Sequence, residues 1–187
     1  MTSGPTDCFI GLEITRDCTR KKRYLTQSIF VEKLIMKFWM NDCNTPDVPA
    51  EPCSRLIVAI YPTGVNFNIS NSTSYRALVG ALLYIMGLTS PDIAFAVIAV
   101  SRCCQNPGPT HWKASKHILA YLLGTINYGL CCSDSDSSNV LRGFTDSDFA
   151  GCPNTRHSTT SVLYQNQAPV TLKFRLQKLV AQSTAES

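Results

Sequence analysis

Asp146 and Asp148 stand one residue apart in "GFTDSDFAGC", just after a short apolar run. Two carboxylates so placed suit oxygen ligation of a hard divalent cation, which can activate water or stabilise a leaving oxygen. Asp-Ser-Asp after a strand is also ordinary turn composition, its side chains hydrogen-bonding the nearby backbone. A second reactive group lies near the N-terminus, where Arg16, Arg20, Lys21, Lys22 and Arg23 crowd together. Such a cluster either solvates a hairpin tip or gains affinity for phosphates by displacing their counterions.

Nine cysteines invite a third chemistry. Cys103, Cys104, His111 and His117 suggest zinc, but their spacing sets no ligand pair on one face. No C-x-x-C occurs, and the opening "MTSGPTDCF" lacks the basic start and apolar run of a secretory signal. The expectation is a reduced intracellular protein, cytoplasmic or nuclear and not secreted, with scattered thiols. The chain has 187 residues, 44% hydrophobic and 16% charged, a composition able to bury a core. Its net charge of +4 permits contact with nucleic acid without demanding it. Residues 77–100 are nearly all apolar, but Thr89-Ser90-Pro91-Asp92 interrupts them. Ser90 suits an N-cap and Pro91 a first helical position, so two core helices are expected there and no membrane partner.

These groups need elements to hold them. "CFIGLEITRD" and "KKRYLTQS" read as two strands around a basic turn. Ser28 is expected to cap a helix over 29–40, whose Val31, Leu34, Ile35 and Phe38 form one apolar face. Residues 41–71, rich in proline, read as loop. Ser74 to Leu88 is apolar nearly all round, which predicts a buried helix. A helix from Pro91 to Cys104 follows, with Ile93, Val97, Val100 and Cys104 on one side. A third, capped by Thr110, ends near Gly124 and turns Trp112, Ser115, Leu119 and Leu122 one way. Residues 132–139 form a polar linker and the best domain boundary. "NVLRGFTD", "TSVLYQ" and "PVTLKFR" read as three short strands, and residues 177–187 as the start of a helix.

Several stretches together resemble the Pol polyprotein of copia-type LTR retrotransposons, in that family's order. They include "FIGLEITRD", "YRALVGALLYIMGLTSPDIAFAV", "HWKASKHILAYLLGT", "GFTDSDFAGC" and "KLVAQSTAES". The resemblance implies an α+β architecture in three parts. Residues 1–27 correspond to the palm-end hairpin of a reverse transcriptase, the part that grips a primer. Residues 28–132 correspond to a helical thumb and connection. Residues 139–187 correspond to the opening strands of an incomplete ribonuclease H-like domain.

By the same resemblance Asp146 supplies the first catalytic carboxylate and metal ligand of ribonuclease H, and Glu186 the second. The family fold brings two further aspartates from later segments. Asp148 is expected to be a turn residue. Magnesium is the implied cofactor of the intact parent enzyme, held weakly or not at all by this pair. Phe9 and Gly11, with Arg16, Arg20, Lys21, Lys22 and Arg23, are the implied nucleic-acid contacts. The implied partners are a primer–template duplex or RNA–DNA hybrid and the remainder of the polyprotein. The sequence departs from the family in three places. No adjacent Asp-Asp occurs, so the polymerase Y-x-D-D turn is absent; Phe149 replaces the usual Trp; and "TLKFRLQK" replaces "ISWKSKKQ". The expectation is a remnant without catalysis of its own. The alternatives are a segment of an active polyprotein and a host-adopted helical binding module.

Overall fold

The computed structural model describes residues 7–51, 56, 69–133, 140–152 and 155–185. Strands β1 (Cys8–Phe9), β2 (Leu12–Asp17) and β3 (Lys22–Thr26) precede helices α1 (Ser28–Lys37), α2 (Ile69–Leu88), α3 (Ala94–Ser101) and α4 (Pro109–Gly124). Strands β4 (Leu130–Ser133), β5 (Arg142–Ser147), β6 (Thr159–Asn166) and β7 (Ala168–Leu176) follow. The strands form two antiparallel sheets, ordered β1-β2-β3-β4 and β5-β6-β7. The class is α+β, as the sequence suggests.

The N-terminal sheet has more strands than the two expected. Ile10 and Gly11 both take positive φ (49° and 72°), and Phe9 pairs with Leu12 across them. Two such residues make the tight turn whose twist suits an antiparallel hairpin, and Gly11 adopts it without steric cost. The first predicted strand is thereby folded back on itself. Leu130 to Ser133, where the sequence predicts the end of the helical part and the start of a linker, is a fourth strand paired to β3 from Leu25↔Leu130 to Lys22↔Ser133. β3 offers a free edge there, and tertiary pairing outweighs the weak strand pattern of Leu-Cys-Cys-Ser.

Helix α1 buries Val31, Leu34 and Ile35, with Phe38 just past its end, on the expected face. Its start is capped differently from the expectation. Ser28 lies inside the helix, and its hydroxyl donates to Glu13 Oε2 at 2.9 Å. The Ile29 N–H donates to Glu13 Oε1 at 2.8 Å. A strand carboxylate therefore satisfies the helix N-terminus, where negative charge is also favoured by the dipole. Glu13→Ala is expected to lower stability by about 1 kcal/mol, the usual cost of a lost cap. Urea unfolding that leaves the midpoint unmoved would show that the contact contributes nothing.

The core lies among the helices. Tyr75, Leu78, Leu82 and Ile85 of α2 meet Val97 and Val100 of α3 and Ile118, Leu119 and Leu122 of α4. The Tyr75 hydroxyl donates to the Val100 carbonyl at 2.6 Å, and burial pushes its phenol pKa up. The segment from Pro91 starts as a 3-10 turn, Pro91–Ile93, before α3, which ends at Ser101 rather than Cys104. Ser90 sits at the N-cap, yet its side chain makes no capping bond. Pro109 takes the first position of α4 and moves the N-cap to Gly108, whose N–H donates to His111 Nδ1 at 2.9 Å. Thr110 is therefore not the cap.

The three strands expected after residue 139 all form. The helix expected from Gln177 does not: residues 177–185 run in bends and turns, with Leu179 and Val180 exposed. A short helix without a packing surface does not repay its nucleation cost. Residues 134–139 of the expected linker and most of 52–68 of the expected loop lie outside the described residues.

Candidate functional site

β5 carries Asp146 into a cleft between the second sheet and the helices. Asp146 is exposed, and its backbone stands opposite Ser161, whose hydroxyl donates to the Asp146 carbonyl at 3.3 Å. The cleft encloses about 680 Å³. Phe95 and Ala99 of α3 and Ile118 of α4 give it apolar walls, Arg102 and Lys113 bring cations, and Asp146 and Asp148 bring carboxylates. Arg102 joins the two layers, its guanidinium donating to Thr159 Oγ1 at 2.7 Å.

Asp148 is occupied in holding a turn, as expected. Its N–H donates to the Thr159 carbonyl at 3.1 Å, and the Thr159 N–H returns a bond to Asp148 Oδ1. A Cβ at Gly151 would overlap the Asp148 carboxylate, so the loop closes only because residue 151 has no side chain. The Ala150 N–H donates to the buried Ser158 hydroxyl at 3.2 Å, fixing the far side.

Magnesium asks for near-octahedral oxygen ligands. Among the described residues no three His, Cys, Asp or Glu side chains come together as a ligand set. Asp148 is committed to its turn, which leaves Asp146. Glu186, the second implied ligand, lies outside the described residues. The described donors therefore do not fit a magnesium site. Nor do the cysteines and histidines weighed for zinc assemble: the described cysteines carry free thiols, and burial raises the pKa of Cys103 and Cys104.

The implied nucleic-acid residues occupy two places. Arg16 pairs directly with Arg23 across β2 and β3, and Asp17 with Lys22, with Arg20 and Lys21 in the connecting turn. Arg16, Arg20, Lys21 and Arg23 are exposed. Asp17 organises the turn: it accepts the Arg20 N–H at 2.9 Å and forms an ion pair with its side chain at 3.8 Å. Phe9 and Gly11 belong to the opposite end of β2, a strand about 20 Å long. That end is docked on α2 through the Tyr84 hydroxyl, which donates to the Ile10 carbonyl. The basic tip and the Phe9–Gly11 turn are therefore separate contact points.

The chain has curated relatives in sequence. The chain is 37% identical over 186 residues to the retrovirus-related Pol polyprotein from transposon TNT 1-94 of Nicotiana tabacum, a match covering 98% of the chain. It is 29% identical over 180 residues to the corresponding polyprotein of transposon RE1 of Arabidopsis thaliana.

The chain belongs to the Pol polyproteins of copia-type transposons.

It spans 14% of the tobacco Pol polyprotein and 12% of the Arabidopsis one. A shorter relative matches 60% of the chain: secreted RxLR effector protein 161 of Plasmopara viticola is 38% identical over 113 residues, which make up 79% of its length. No family model matches the chain, and no solved structure matches it.

The sequence reading of this Pol segment missed Glu13 as a helix cap, Arg102 as a tie between layers and the cleft itself. Glu13 lies 15 residues before Ser28, and Arg102 lies 57 before Thr159, so no local pattern announces either. No described helix is long and apolar enough to cross a membrane.

Proposed function

We propose that this chain is a remnant of a copia-type reverse transcriptase–ribonuclease H, spanning the primer-gripping hairpin, the helical thumb and the first strands of the hybrid-cutting domain. It works inside the cell, in cytoplasm or nucleus, and alongside the remainder of its polyprotein. Its retained role is to hold a primer–template duplex or RNA–DNA hybrid, without cleavage by this chain alone. The observation that supports the holding role best is the Arg16–Arg23 cross-strand pair at an exposed tip. Like charges directly opposite on a sheet destabilise it, and a phosphate backbone laid across the tip relieves that repulsion. The poor fit of the described carboxylates to magnesium supports the absence of cleavage by this chain alone.

One set of measurements tests both halves. Arg16→Glu with Arg23→Glu is expected to weaken hybrid binding at least tenfold and to cut the salt slope by about two. Binding that ignores both the charge reversal and added salt contradicts the grip. Hybrid incubated with the chain in magnesium or manganese is expected to stay intact. Cleavage that disappears in Asp146→Asn would show an active site after all; cleavage that persists in that variant marks a contaminating nuclease.

A further inference from the structure

The sheet β5-β6-β7 has two faces of different chemistry. Alternate residues of a strand point to opposite sides. Asp146, Ser161 and Phe174 share the side that lines the cleft against α3 and α4. The other side carries three cross-strand rows: Gly143, Tyr164 and Thr171; then Thr145, Val162 and Lys173; then Ser147, Thr160 and Arg175. None of these rows contains an acidic residue. Tyr164, Thr145, Thr171, Lys173 and Arg175 are all exposed. Neither Lys173 nor Arg175 forms a salt bridge among the described residues.

Tyr164 is placed for more than surface cover. A Cβ on Gly143 would meet two of its ring carbons at 3.2 and 3.4 Å. The ring therefore lies across the neighbouring strand at the one position without a side chain, and 43% of the residue remains exposed. Lys173 and Arg175 stand about 7 Å apart along β7, a step that one extended nucleotide spans. The face thus combines an exposed aromatic ring, two cations and a set of hydroxyls.

We propose that this outer face of β5-β6-β7 binds single-stranded nucleic acid, with a base stacked on Tyr164 and the phosphates that follow it on one side held by Lys173 and Arg175. Stacking asks for an unpaired base, because a duplex keeps its bases turned inward. The cations act without sequence preference, as phosphate contacts do. The face is separate from the basic hairpin and uses none of its residues.

The test uses the full chain carrying Arg16→Glu and Arg23→Glu, so that the hairpin does not dominate the signal. The probe is a fluorescent oligo(dT) of about ten nucleotides, within the site sizes of single-strand binders, read by anisotropy at several salt concentrations. Tyr164→Ala is expected to weaken binding about tenfold, the effect of one lost stacking contact, while Tyr164→Phe keeps it. Lys173→Gln with Arg175→Gln is expected to lower the salt slope by about 1.4, the single-strand value for two phosphate contacts. Equal affinities for the Ala and Phe variants overturn the proposal. So does an unchanged salt slope, or competition by polyglutamate or blunt duplex as strong as by unlabelled oligo(dT). Thermal melts of each variant show that the sheet is still folded.

Discussion

Leu119→Ala is expected to cost about 3–4 kcal/mol of stability and to lower the melting temperature by roughly 10 °C. Leu119 is fully buried on α4, inside the cluster formed with α1, α2 and α3. Truncation removes its transfer free energy and leaves a cavity that a close-packed helical layer cannot collapse around. A domain holds only about 5–15 kcal/mol in total, so this is a large fraction. Leu179→Ala offers the contrast: that residue is 81% exposed, and its loss is expected to stay within about 0.5 kcal/mol. Urea denaturation checks both, as a shift of midpoint at constant slope. Hydrogen exchange should agree, with the slowest amides in α2 and α4 and faster exchange in β5 to β7, whose strands leave many side chains exposed. Equal destabilisation by the two leucine variants would mean that the core lies elsewhere.

The elements legible in the sequence are those whose own residues decide them. The face of α1 repeats at helical spacing, α2 is apolar all round, and β5, β6 and β7 are short runs rich in Val, Leu, Thr and Phe between turn residues. Asp148 announces its turn because its partners lie in the adjoining loop and strand. The unexpected features depend on residues brought together from afar. β4 forms because β3 presents an edge, although more than a hundred residues separate Leu25 from Leu130. α1 is capped by a strand residue rather than by its own serine. The basic cluster is visible in the sequence, but its separation from Phe9 and Gly11 is not. That separation follows from the positive-φ turn at Ile10–Gly11, which puts the two groups at opposite ends of β2. The acid-free outer face of the second sheet is likewise a product of register: Lys173 and Arg175 share it with Tyr164 only because β7 pairs β6 as it does.

Gly129→Ala is expected to destabilise the chain by about 2–3 kcal/mol, although the change adds a single methyl group. Gly129 leads directly into β4, where the chain passes close against β3. A Cβ there would overlap the Leu25 carbonyl oxygen and stand 2.7 Å from Thr26 Cγ2. The carbonyl belongs to a paired strand and cannot rotate aside as a flexible side chain would. β4 must then move away from its entry point, and the Leu25↔Leu130 pair is the first to be lost. The requirement is for space, since Gly129 is not among the positive-φ glycines. Gly80 and Gly87, both in α2, supply an internal control, for a Cβ at either meets nothing within 4 Å. Gly80→Ala and Gly87→Ala are expected to gain about 0.5–1 kcal/mol each, because alanine costs less backbone entropy in a helix. The three variants therefore separate in sign under one urea titration. If Gly129→Ala proves as stable as Gly80→Ala, β4 does not approach β3 this closely, and the fourth strand of the first sheet has to be withdrawn.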